Sequence, residues 1–172
     1  MYNPLIHSYL RYGITTWGSA PPSVLQPLST LNNRAVRIMT SAPFGNIDID
    51  SIYKYLNIPK LSQVISLETG KFTFKKQNNL LPTDNIANHF ELRNSNVSHQ
   101  YNLRDRHVQL QNINLNSAHG GKSVQCRASK LWNEIPDTIR SSESFSIFKT
   151  QYKKFLIEDD HLESDNDSFL YY

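Results

Sequence analysis

The 172 residues, 38% of them hydrophobic and including eight Phe, nine Tyr and two Trp, suffice for one ordinary domain with a modest core. There is no apolar run near the roughly 20 residues a bilayer span needs and no secretion signal at the start, while the single cysteine, Cys126, excludes an intrachain disulfide and points to an intracellular, cytoplasmic or nuclear setting. Six of the fifteen acidic side chains (Glu158, Asp159, Asp160, Glu163, Asp165 and Asp167) lie in residues 158–172 with no Lys or Arg, so residues 1–157 carry 18 basic against 9 acidic groups, a net of +9.

A body this basic suits a polyanion such as RNA or DNA, and an acidic tail commonly accompanies one. The same charges also read as an ordinary solvated surface. In chain order, Leu28, Leu31, Ala35 and Ile38 recur at spacings of three and four, which is one face of a helix. Asn33, Arg34 and Arg37 fall on its other side, and Pro43 and Gly45 end it. A short helix is predicted at about 51–57, and Pro59 punctuates before the next. Leu61, Val64, Ile65 and Phe72 form the apolar side of a helix over about 60–77. Lys71, Lys75 and Lys76 near its C-terminal end complement the helix dipole. Phosphate binding is the second reading of that cluster.

Residues 94–116, with six Asn among 23 positions, predict an irregular connection containing one strand. Val108 and Leu110 alternate with Gln109 and Gln111, and Ile113 and Leu115 resume out of phase, as a bulge at Asn112 allows. Across His119-Gly120-Gly121, Val124, Cys126 and Ala128 alternate again, which predicts a β-hairpin. The last helix starts at Ser144 as its cap and carries a stripe of Phe145, Phe148, Tyr152, Phe155 and Leu156. Lys149, Lys153 and Lys154 lie largely outside that stripe. Acidic residues from Glu158 onward suit a helix C-terminus poorly, so a disordered acidic tail is expected over 158–172. The fold class read from these elements is mainly α with one small β-hairpin.

Catalytic and metal chemistry finds little support. Asp159 and Asp160 form the only adjacent Asp pair, but they stand in the acidic tail and not on the tight hairpin that holds two magnesium ions in a polymerase. Gly120-Gly121-Lys122-Ser123 resembles the end of a phosphate loop, yet position 116 is Asn where that loop needs Gly. One Cys and six His without repeated short spacing exclude a zinc knuckle or finger. Cys126 as a nucleophile is weighed against the commoner small buried thiol at an inward strand position. No catalytic residue, metal site, cofactor or small-molecule substrate is therefore expected. His99-Gln100-Tyr101-Asn102-Leu103-Arg104-Asp105-Arg106-His107 sets an aromatic ring beside two guanidinium groups. Tyr101 stacking on a base with Arg104 and Arg106 on phosphate is one reading, and purely structural packing is the other.

The blocks Leu5-Ile6-His7-Ser8-Tyr9-Leu10-Arg11-Tyr12-Gly13-Ile14, Asn33-Arg34-Ala35-Val36-Arg37-Ile38 and Leu131-Trp132-Asn133-Glu134-Ile135-Pro136, with others between them, resemble in order the segment after the palm in jockey-like and related non-LTR (LINE-type) retrotransposon reverse transcriptases. Leu5-Ile6-His7-Ser8-Tyr9-Leu10-Arg11-Tyr12-Gly13-Ile14 with Trp17-Gly18 is similar to the first block. Asn33-Arg34-Ala35-Val36-Arg37-Ile38 resembles the family's "Q-x-R-A-I-R-x-I". Leu56-Asn57-Ile58-Pro59-Lys60-Leu61 and Asn79-Leu80-Leu81-Pro82 follow, then His99 to Arg104 resembling "H-x-Y-x-T-R", and Leu131-Trp132-Asn133-Glu134-Ile135-Pro136. The helix with Phe148-Lys149 closes the region, and the likeness covers about residues 2–157. Leu103 departs from the family's usual Thr.

The resemblance implies a helical thumb-like region at 1–92, an irregular connection with hairpin and terminal helices at 93–157, and the acidic tail at 158–172. It also implies a fragment of an RNA-directed DNA polymerase that lacks the palm aspartates and grips template–primer or element RNA. Arg34, Arg37, Lys71, Lys75, Lys76, Arg104, Arg106, Lys122, Arg127 and Lys130 are the phosphate candidates, and Tyr101 is the stacking candidate. Trp17 and Trp132 are assigned to the core. The alternative is a non-catalytic remnant or a domesticated protein-interaction module. Surface bared by the missing domains predicts self-association.

Overall fold

The computed structural model describes residues 6–41, 47–81, 110 and 124–158. These residues are mainly helical: α1 (Ser8–Arg11), α2 (Ile14–Trp17), α3 (Pro22–Thr40), α4 (Ile49–Leu56), α5 (Leu61–Gln77), α6 (Val124–Glu134), α7 (Asp137–Arg140) and α8 (Phe145–Glu158). The chain divides into two units, one of Met1–Glu68 with Lys153–Tyr172 and the other of Thr69–Tyr152. The boundaries fall inside α5 and inside α8.

In the first unit, α3 begins with Pro22 at its first position, where a missing N–H is harmless. It ends at Ser41 in the left-handed region. The helix is where the periodicity puts it, but its inner face is rotated from the expected one. Asn32 and Val36 are buried, whereas Leu31 is 59% and Ile38 77% exposed. The cause is a polar lock. The Asn32 amide donates to Tyr53 Oη at 2.8 Å, and that hydroxyl donates to Asn33 Oδ1 at 2.9 Å. Val36, Ile52 and Tyr53 pack around this lock.

Helix α4 is capped by Asp48, whose carboxylate accepts from the Ser51 N–H at 3.3 Å. It closes on Asn57 at φ 51°, a conformation Asn tolerates, and the Ile58 N–H then returns to the Tyr53 carbonyl at 3.1 Å. Gln63 serves the start of α5 twice. Its Oε1 accepts from the Lys60 N–H at 2.9 Å, and its Nε2 donates to the Leu156 carbonyl of α8 at 2.6 Å. A second cluster joins Leu10 and Ile14 to Leu61, Val64 and Ile65, with half-buried Trp17 packed against it. Gly18 matters there, because a Cβ would stand 2.5 Å from the Ile14 carbonyl oxygen.

The second unit is built on aromatic rings. Phe74 of α5 stacks on Phe148 of α8 at 4.4 Å between centroids and lies 6.5 Å from Trp132 of α6. Trp132 and Tyr152 flank Phe148 at 5.9 and 5.4 Å. Ser144 accepts from the Ile147 N–H at 3.3 Å, so the expected cap of α8 is in place. Phe148, Tyr152 and Leu156 are its buried stripe, and Phe145 and Phe155 are half-buried.

The second strand of the expected hairpin is corrected: Val124, Cys126 and Ala128 open helix α6. Cys126, Ala128, Ser129 and Trp132 are buried, at spacings that follow a helix. Six residues of alternation are compatible with either element, and burial at 129 and 132 decides for the helix. The remainder of the hairpin, apart from Leu110, lies outside the described residues, as does the acidic tail from Asp159. Leu110 itself is fully buried and held by one side chain. Asn133 Oδ1 accepts from the Leu110 N–H, and Asn133 Nδ2 donates to the Leu110 carbonyl, both at 2.9 Å.

Candidate nucleic-acid interface

Unpaired bases need a flat apolar partner and phosphates need exposed cations. In the first unit, α3 supplies Arg34, exposed, and Arg37, half-buried one turn later, and the helix contains no Asp or Glu. Exposed rings are present in the same unit. Tyr9 is 79% and Tyr12 85% exposed on and just after α1, and Tyr55 is 86% exposed on α4. Sequence reasoning missed these three. The signal was available for Tyr55, which falls off the face set by Ile52, Tyr53 and Leu56. Cations adjoin them in sequence: Arg11, whose Nε is bonded to Glu68 Oε1 at 2.6 Å, and Lys54.

In the second unit the lysines of α5 are less available than their spacing suggested. Lys71 is only 6% exposed, so it is withdrawn from any phosphate surface and leaves the candidate set. α5 is enclosed on most sides, and a stripe-based reading put its polar side outward. The Lys75 ammonium lies 4.6 Å above the Phe145 ring, a cation–π contact that fixes its direction. Burial lowers the pKa of Lys76 below the ordinary lysine value, and burial likewise lowers that of Arg127 on α6. In both cases burial disfavours the charged form. Lys130, one turn after Arg127, is exposed. α5 and α6 meet at Phe74 and Trp132, so these cations stand on two packed helices of one unit.

Tyr101, Arg104, Arg106 and Lys122 lie outside the described residues. Cys126 is a buried thiol outside any disulfide, on α6 and not on a strand. Among the described residues no three His, Cys, Asp or Glu side chains converge as a metal site. No described helix is long and apolar enough to cross a membrane. Comparisons with protein-family models, with curated proteins and with solved structures return no match to this chain.

Proposed function

We propose that this chain corresponds to the region after the palm of a LINE-type retrotransposon reverse transcriptase and that it binds nucleic acid. The observation that carries the nucleic-acid reading is charge: residues 1–157 hold 18 basic against 9 acidic side chains. The order of the sequence blocks from Leu5 to Phe148 supports the family origin. The exposed rings of Tyr9, Tyr12 and Tyr55 and the acid-free helix α3 fit a single strand better than a duplex, because stacking needs an unpaired base. The chain then grips RNA or template–primer while chemistry happens elsewhere.

The basic stretch around Tyr101 tests this reading. Changing Arg104 and Arg106 to Ala removes two phosphate contacts, which flattens the salt dependence of single-strand binding by about 1.4 in the logarithmic slope. Unchanged affinity and slope with undiminished helical circular dichroism strike that stretch from the interface. A second reading, a protein-interaction module, is favoured by one observation: the outward face of α3 exposes Val24, Leu31 and Ile38.

A further inference from the structure

The outward face of α3 is apolar along its length and has no partner among the described residues of its unit. Val24, Leu31 and Ile38 repeat every seven residues and are 62%, 59% and 77% exposed, with Met39 beside them at 41%. Arg34 sits within this stripe, three residues after Leu31 and four before Ile38, and is itself exposed. A ligand for this face must therefore bring large apolar side chains together with negative charge. An RNA strand brings the charge but no side chains to fill a row of aliphatic groups. A second copy of α3 brings the same arginines and no acid.

We propose that the acidic, aromatic segment 159–172 of this chain docks along α3, with Phe169, Leu170 and Tyr171 on the stripe of Val24, Leu31 and Ile38 and with Asp165 and Asp167 toward Arg34. The segment holds Asp159, Asp160, Glu163, Asp165 and Asp167, no Lys or Arg, and then Phe169-Leu170-Tyr171-Tyr172. It starts in the right place. The Lys153 ammonium donates to the Asn57 carbonyl at 3.1 Å, which sets the end of α8 beside the end of α4. α4 in turn packs on α3 through Tyr53 to Asn32 and Asn33. The span is also sufficient. Residues 159–168 reach about 33 Å when extended, roughly three helix diameters, which takes the chain from α8 past α4 to the far side of α3. Docking covers Arg34 and so withdraws a cation from the surface. The contact is intramolecular and stands whether or not the chain binds RNA.

Photo-crosslinking of the full chain tests this directly. Phe169 is replaced by p-benzoylphenylalanine, the protein is irradiated at low concentration, and crosslinked peptides are mapped separately in monomer and dimer fractions. The expected result is a monomeric crosslink from 169 to the α3 segment 24–39. The double variant Leu31→Asp, Ile38→Asp lowers its yield by about five-fold or more, because two apolar contacts are lost and the new carboxylates repel the acidic segment. Both positions are exposed, and circular dichroism reports whether the variant keeps its helices. A crosslink that maps elsewhere, appears only between two chains, or persists undiminished in the folded double variant overturns the proposal. If the variant unfolds, the map of the Phe169-substituted chain alone decides.

Discussion

Asn133 does at one position what a strand normally does with several. Its amide is both acceptor and donor, and it meets both backbone groups of the fully buried Leu110 at 2.9 Å. Asn133→Asp keeps the acceptor and loses the donor, so the Leu110 carbonyl is left buried opposite a carboxylate. A loss of about 2–3 kcal/mol in chemical unfolding is expected, and a stability unchanged within about 0.5 kcal/mol contradicts the clamp. This contact spans 23 residues in sequence and leaves no local trace, so it was not legible. The polar lock of Asn32, Tyr53 and Asn33 was hidden for the same reason. Lys71 shows the converse case, since a lysine at the end of an amphipathic pattern gives no sign that its helix is enclosed.

Tyr152 carries a pH prediction. Burial first, and the nearby negative charge of Glu134 second, raise its phenol far above the ordinary value of 10.0. The folded state thus holds the proton that the unfolded state releases. Stability from this group is full below about pH 10, where both states are protonated, and is lost as pH rises beyond it. Alkaline unfolding of the native chain should steepen above about pH 10, and Tyr152→Phe should remove part of that slope while costing about 1 kcal/mol at neutral pH. An identical alkaline slope in the Phe variant contradicts the assignment.

Among the helices, legibility depended on how many sides each one buries. α8 was read correctly in cap, extent and stripe because it buries one face: Phe148, Tyr152 and Leu156 inward, Lys149 and Lys154 outward. α3 was read correctly in place and wrongly in orientation. It carries two apolar stripes, and the buried one includes an asparagine that periodicity scores as polar. In α6 the alternation of Val124, Cys126 and Ala128 imitates a strand over a window too short to separate the periods. α5 was read in extent, but its burial of Thr69, Gly70, Lys71 and Thr73 exceeds any apolar stripe. Gly70 marks the closest approach, since a Cβ there meets Tyr152 Cε1 at 2.5 Å. Gly70→Ala gains about 1 kcal/mol of helix propensity but must displace a buried ring, and a net loss of about 1–2 kcal/mol is expected. A stabilised alanine variant contradicts the packing of Tyr152 on α5.

At the scale of the whole molecule, a basic body is joined to an acidic segment, with the cations spread over both units. The helical class was legible because helix periods and caps are local. The candidate interface was legible only in part. Charge named Arg34, Arg37 and Lys130, whereas the exposed tyrosines emerged from burial. The measurement that bears most directly on the proposed function is the affinity of the full chain for labelled single-stranded RNA across a salt series. Four phosphate contacts, such as Arg37, Arg104, Arg106 and Lys130 offer, predict a logarithmic slope of about −2.8, or binding roughly 50-fold weaker at 200 mM than at 50 mM salt. Absent or salt-insensitive binding by a chain that is demonstrably helical contradicts the nucleic-acid role and leaves the protein-interaction reading in its place.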